Sequence, residues 1–163
     1  MNQIRILFVC LGNICRSPAG QGALQKVIDD LGISNLFYID SCGTAGYHIG
    51  SLPDPRTRKV AEQEGIKLTH QARKFQPSKD FAEFDFIFTM DDSNYKNIIS
   101  LAWDDTQKEK VSMFRTFDPI QNDGLNVPDP YYGTINDFEL VQEIVTRTSK
   151  GFINFLRDEG RIK

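Results

Sequence analysis

Ile4-Arg5-Ile6-Leu7-Phe8-Val9-Cys10-Leu11-Gly12-Asn13-Ile14-Cys15-Arg16-Ser17-Pro18 carries three structural signals in succession. Ile4 to Val9 is a near-continuous apolar and β-branched run, the pattern of a strand covered on both faces. Arg16-Ser17-Pro18 opens a helical stretch that ends near Leu31-Gly32. Pro18 suits a first helical turn, where its missing N–H costs nothing, and Ala23, Leu24, Val27, Ile28 and Leu31 recur at helical spacing. Strand, tight loop and helix follow one another, so the loop from Cys10 lies beyond the carboxyl end of a strand, where open α/β sheets bind ligands.

Further along, Leu36 to Asp40 reads as a second strand, Arg56 to Glu64 as a helix stopped by Gly65, and Phe84 to Thr89 as a third strand. Asn94 to Leu101 is helical and Lys110 to Phe114 is a weaker strand. Thr134 to Arg157 is a long amphipathic helix with Phe138, Val141, Ile144, Val145, Phe152 and Phe155 inward. This alternation predicts an α/β fold of three layers: a four-stranded parallel sheet with helices on both faces, the Cys10 loop following its first strand. No linker or composition shift divides the 163 residues, so one domain over 1–163 is expected.

A net charge of −3 is too small and of the wrong sign for a chain whose main partner is a nucleic-acid backbone or an anionic membrane. Any anion is therefore to be caught locally. The apolar run interrupted by Arg5 is too short for a signal-peptide core or a spanning helix, which predicts no membrane insertion. Three cysteines cannot all pair within the chain, and two of them lie in the loop, which suits a reducing cytoplasm.

Cys10 and Arg16 enclose five residues, a spacing that can wrap the backbone around an oxyanion the size of phosphate. Inward N–H groups form a nest, and the helix beginning near Ser17 aims its positive end at the same point. Gly12 relieves the tight curve, and Asn13 tolerates a left-handed conformation. Arg16 can give planar, bidentate hydrogen bonds to two phosphoryl oxygens, and Ser17 can add a hydroxyl. The same positive surroundings favour an anionic sulfur at Cys10, a nucleophile in line with phosphorus, with no metal or cofactor required. By itself the spacing also fits a buried structural cysteine followed by an unrelated arginine. The strand before it and the Ser-Pro after it favour the cradle.

Val9-Cys10-Leu11-Gly12-Asn13-Ile14-Cys15-Arg16-Ser17-Pro18, together with the distant Val127-Pro128-Asp129-Pro130-Tyr131-Tyr132-Gly133, closely resembles the low-molecular-weight protein tyrosine phosphatases. Asp40-Ser41-Cys42-Gly43-Thr44, Thr69-His70-Gln71-Ala72-Arg73 and Thr89-Met90-Asp91 resemble internal segments of that family in the expected order. The resemblance implies a metal-independent hydrolase acting on tyrosine-phosphorylated proteins or peptides and releasing inorganic phosphate. It implies Asp129 as general acid and then base, a role otherwise open to a simple Asp-Pro turn. Asn13, Ser41 and His70 resemble the hydrogen-bonded support of the loop. Leu11, Tyr47 and Tyr131, with Tyr132 equally open to a surface reading, resemble the walls of an aromatic cleft. Ile14 stands where relatives similar to protein-arginine phosphatases carry threonine, which favours a tyrosine substrate. His48 is expected to be an exposed polar residue.

Leu11, Gly12, Asn13, Ile14, Cys15 and Ser17 would thus surround the substrate. Cys15, within the same curled loop as Cys10, is expected to form a reversible disulfide with it on oxidation, as the resemblance also suggests. Cys42 departs from the family pattern and is read as structural. Asp54, Arg56, Asp91 and Asp92 match family segments but stay outside the catalytic set, since charged residues at turns and strand ends commonly stabilise. Arsenate reductases resemble the same fold and loop but pass a disulfide onward through further cysteines, and none follows Cys42. A phosphocysteine carrier or a phosphate-binding module is the remaining rival.

Overall fold

A computed structural model describes residues 2–163; Met1 lies outside the described residues. Its sheet has four strands, β1 (Ile4–Cys10), β2 (Phe37–Gly43), β3 (Phe86–Thr89) and β4 (Val111–Met113), all parallel and ordered β2-β1-β3-β4. β1 is central, paired from Ile4 with Phe37 to Cys10 with Gly43 on one side and from Ile6 with Phe86 to Val9 with Thr89 on the other.

The unbroken apolar run of β1 follows from burial on both faces. Ile6, Phe8 and Cys10 point into a core shared with α1 (Arg16–Asp30) and α6 (Ile135–Asp158), alongside Phe88, Phe114, Val145 and Phe152. Leu7 and Val9 point the other way, against Phe75, Phe81, Phe84, Ile87 and Ile98, which α3 (Pro77–Glu83) and α4 (Asp92–Leu101) help to supply. Around Phe88 the rings of Phe8, Phe114, Phe117 and Phe152 pack tilted or edge-on at 5.0–5.7 Å, the arrangement that aromatic quadrupoles favour. A third cluster, Ile14, Cys15, Val60, Ala72 and Phe138, seats α2 (Pro55–Gln63) between the Cys10 loop and α6.

The expected elements are present, with differences that have physical causes. β2 runs to Gly43, beyond the Asp40 expected, because Gly43 donates to Arg73 O and accepts from Phe75, an extension carried by backbone bonds rather than by side-chain pattern. Leu31 caps α1 and is largely exposed instead of completing its apolar stripe, and Phe155 is only partly buried. α3 and α5 (Asp105–Glu109) span two turns or fewer, too short to show a 3.6-residue period. Among the described residues no helix is long and apolar enough to cross a membrane.

Candidate active site

β1 ends at Cys10, and the chain curls through residues 11–15 before α1 begins at Arg16. The carbonyls of Cys10, Leu11 and Ile14 accept from the amides of Thr44, Ala45 and Asp54 at 2.8–3.0 Å. The peptide bonds of the loop are trans, so each outward carbonyl turns the next N–H the opposite way. The amides of Leu11, Gly12 and Cys15 therefore face the concave side, and α1 adds its N-terminus: the elements of an anion nest. Gly43 permits this closeness, since a Cβ there would stand 2.7 Å from Leu11 O and 3.2 Å from Asn13 N.

Asn13 is the sole non-glycine residue at positive φ among the described residues, at 57°. Its side chain is fully engaged: Nδ2 donates to Ser17 Oγ (2.8 Å) and Ser41 Oγ (3.0 Å), while Oδ1 accepts from His70 Nε2 (2.8 Å) and the Arg73 amide (3.0 Å). Ser41 in turn donates to Gln21 Oε1 at 2.6 Å. The structure thus brings Asn13, Ser41 and His70 together beneath the loop, as expected, and adds Gln21, which no motif signalled, and Arg73, which lies in the family-like segment Thr69-His70-Gln71-Ala72-Arg73 but was given no part there. Burial drives the His70 pKa below its ordinary value, against the pull of Asp40, whose carboxylate is 3.5 Å from Nδ1. Gly12 has a different part from the one expected. Its φ is not positive, and a Cβ there would lie 3.1 Å from His48 Cδ2, tighter than ordinary contact.

Cys10 Sγ is 3.0 Å from Ser17 Oγ, which also lies 3.3 Å from the Cys42 carbonyl. Arg16 is 3% exposed. Its Nη1 donates to Asp91 Oδ2 at 2.6 Å and to Val127 O at 3.1 Å, and its Nη2 is 3.7 Å from Asp129 Oδ2. With Nη1 committed there, the other edge of the guanidinium remains for an oxyanion. Burial works against the Arg16 charge, but Cys10, Asp91 and Asp129 outweigh it and raise the pKa. Asp91 is thus part of the site although its sequence context left it out; a carboxylate just beyond β3, the strand beside β1, was the available signal. Burial, with the charges of Asp54 and Cys10, pushes the Cys15 thiol up to about 12. Cys42 is buried on the opposite face of the sheet from Cys10, as a structural residue should be.

Above the loop lies a cleft of about 210 Å³ lined by Cys10, Leu11, Gly12, Ile14, Cys15, Arg16, Tyr47, His48, Asp129, Tyr131 and Tyr132. Every residue expected to touch substrate lines it except Asn13 and Ser17, which lie beneath the loop. His48 is half-buried in this wall rather than exposed, because its ring packs over Gly12 and beside Tyr131. Tyr132 stands at the mouth, 95% exposed, edge-on to Tyr131. Asp129 is held by an Asx turn, Oδ1 accepting from the Tyr131 amide at 3.1 Å, with its side chain 44% exposed to the cleft. Among the described residues no group of three or more His, Cys, Asp or Glu side chains is placed to hold a metal ion.

An anion nest at the end of a parallel strand, with a cysteine at its floor, a buried arginine beside it and a carboxylate across the cleft, defines a phosphatase of the cysteine-loop type. The family described as low molecular weight phosphotyrosine protein phosphatase matches residues 5–162, and the chain belongs to this family of hydrolases. A low molecular weight protein-tyrosine-phosphatase of Streptomyces coelicolor is 39% identical over 160 residues, covering 96% of this chain and 97% of its own. A human low molecular weight phosphotyrosine protein phosphatase is 39% identical over 149 residues, 91% of this chain and 92% of its own. The crystal structure of a protein tyrosine phosphatase from Entamoeba histolytica, with Hepes in its active site, superposes with a TM-score of 0.90 at 36% identity, covering 98% of this chain and all of that one.

Proposed function

We propose that the chain hydrolyses phosphotyrosine in proteins or peptides through a phosphocysteine intermediate. Cys10 Sγ attacks phosphorus; the S–P bond forms as the bond to the phenolic oxygen breaks, and Asp129 gives its proton to that oxygen. Asp129 then takes a proton from water, which attacks phosphorus, breaks the S–P bond and leaves inorganic phosphate and the Cys10 thiolate. Throughout, Arg16 and the loop amides hold the equatorial oxygens, whose charge they are placed to balance. The observation that carries the reading is the convergence of Cys10, Arg16 and Asp129 on one cleft, with Asp129 Oδ2 3.7 Å from Arg16 Nη2.

Leu11, Tyr47 and Tyr131 give the cleft apolar and aromatic sides on which a phenyl ring can lie, and Ile14 supplies no hydroxyl for a guanidinium. Three unpaired, buried thiols suit a reducing cytoplasm. On oxidation, a Cys10 sulfenic acid condenses with the Cys15 thiol, releasing water and forming a disulfide that a dithiol reduces. Peroxide-treated Cys15→Ser should accordingly recover less activity with dithiothreitol than wild type; equal recovery removes the redox role.

The decisive experiment is steady-state hydrolysis, in chelator, of phosphotyrosine, phosphoserine and phosphoarginine substrates. Selective turnover of phosphotyrosine, none by Cys10→Ser and a strong slowing by Asp129→Ala are expected. Release of one equivalent only would mark a phosphocysteine carrier, and no release a binding module.

A further inference from the structure

The loop that carries Asp129 is held at both ends. Upstream, the Val127 amide donates to Met90 O at 2.7 Å and its carbonyl accepts from Arg16. Downstream, the Tyr131 carbonyl accepts from Arg56 Nη2 at 3.0 Å, a residue in the first turn of α2 that takes no part in the chemistry above.

Arg56 is itself closely constrained. Asp54, the N-cap of α2, accepts from the Arg56 amide (2.8 Å), Nε (3.1 Å) and Nη2 (3.0 Å), a fork that fixes the guanidinium plane. The Phe138 ring of α6 lies 4.3 Å from its central carbon. The Asp54 amide, in turn, donates to Ile14 O of the Cys10 loop. A continuous strut therefore runs from Ile14 through Asp54, Arg56 and Tyr131 to Asp129, because the amide of that same Tyr131 holds the Asp129 carboxylate.

From this path we infer that Arg56 is a positioning residue that sets the Asp129 carboxylate at the leaving-group oxygen, an inference resting on the acid role proposed for Asp129. Without Arg56 the Asx turn persists, but Asp129 and Tyr131 swing together relative to Cys10. Proton transfer needs a heavy-atom approach of about 2.6–3.2 Å, so a small swing weakens it while leaving nucleophile and anion cradle in place.

The test compares kcat/KM for p-nitrophenyl phosphate, whose leaving group needs little protonation, and phenyl phosphate, whose leaving group needs it strongly. Wild type, Arg56→Ala, Arg56→Lys, Asp129→Ala and the Arg56→Ala/Asp129→Ala double variant are measured. Arg56→Ala should lose about tenfold more on phenyl phosphate than on p-nitrophenyl phosphate, in the direction set by Asp129→Ala and smaller. Arg56→Lys, able to reach Asp54 or Tyr131 but not both, should fall between. The double variant should match Asp129→Ala within about twofold, because a displaced acid cannot be lost twice. Partial unfolding lowers both substrates alike and leaves the ratio untouched. An equal loss on both substrates, or a full further loss in the double variant, overturns the inference alone. Absence of leaving-group sensitivity in Asp129→Ala overturns the acid reading and this inference with it.

Discussion

Asn13→Ala and Asn13→Gly remove the same hydrogen bonds but differ in the backbone they allow. Four bonds end on the Asn13 side chain, and at about 1 kcal/mol net each their loss costs about 4 kcal/mol. At φ 57°, alanine adds about 1 kcal/mol of left-handed strain. Glycine avoids that strain but loses about 0.5–1 kcal/mol through the freedom of its unfolded chain. Asn13→Ala should therefore lose about 5 kcal/mol, a large part of a typical domain's stability, and Asn13→Gly about 4.5–5 kcal/mol, so the two variants lie within about 0.5 kcal/mol of each other. Urea unfolding followed by circular dichroism, with and without inorganic phosphate, reads both effects. Phosphate at about a hundred times its Kd stabilises wild type by about 2.7 kcal/mol, and most of that gain should vanish in both variants as the nest loses its curvature. A loss below about 1.5 kcal/mol for Asn13→Ala, or a phosphate stabilisation kept in full by both variants, would refute the account of how this loop is held.

Asp91→Asn can keep the α4 cap through its amide oxygen, but it turns an amide N–H toward Arg16 Nη1, itself a donor, and removes the charge 2.6 Å from that buried guanidinium; kcat/KM should fall about tenfold and Tm should fall with it, read by steady-state kinetics and a thermal melt. Gly151→Ala puts a Cβ 1.9 Å from Phe117 O, where α6 crosses the 3-10 turn Phe114–Phe117, and should cost about 3 kcal/mol, or roughly 6–12 °C of Tm, in a thermal melt. Burial opposes the Asp118 charge, but bonds from Arg147, Arg115 and the Ile120 amide outweigh it and lower the pKa to about 2 from an ordinary 3.8. Because the folded value is the lower one, its stabilisation is complete above about pH 4 and lost as pH falls toward 2. Asp118→Asn should flatten the fall of Tm between pH 5 and 2.5, and an unchanged slope would reject this assignment.

The strand, loop and first helix were legible because one short stretch combines double-faced burial, a Cys-x5-Arg spacing and a proline start. The same stretch, with Asp129 in its Asp-Pro-Tyr-Tyr segment, gave the cleft's chemical groups. What stayed hidden depends on non-local contacts. Asp91 is tied to Arg16 from 75 residues away, and Arg56 to the Tyr131 carbonyl from an equal separation. Both acceptors lie in segments that resemble the family, but nothing in either segment names its distant partner. Gly43 shows its necessity only when the Leu11 carbonyl is seen against it, and His48 joins the cleft wall only because Gly12 leaves room for its ring. α3 could have been suspected from Pro77 at its start and Asp80 three residues on, but Asp80 proves to be a buried anchor for Arg73 and the Gln76 amide rather than a simple surface charge.

The contrast between the floor of the cleft and its rim has a consequence for how such a chain can diversify. Cys10, Asn13 and Arg16 are locked into the core, whereas Tyr47 and Tyr132 project from loops with most of their surface in water. Exchanges at exposed positions of this kind usually shift stability by no more than about 0.5 kcal/mol. Selection, or a combinatorial library, can therefore redraw the rim that meets the residues around a phosphate group while inheriting the reactive floor unchanged. Molecules sharing one chemistry can in this way serve unrelated targets.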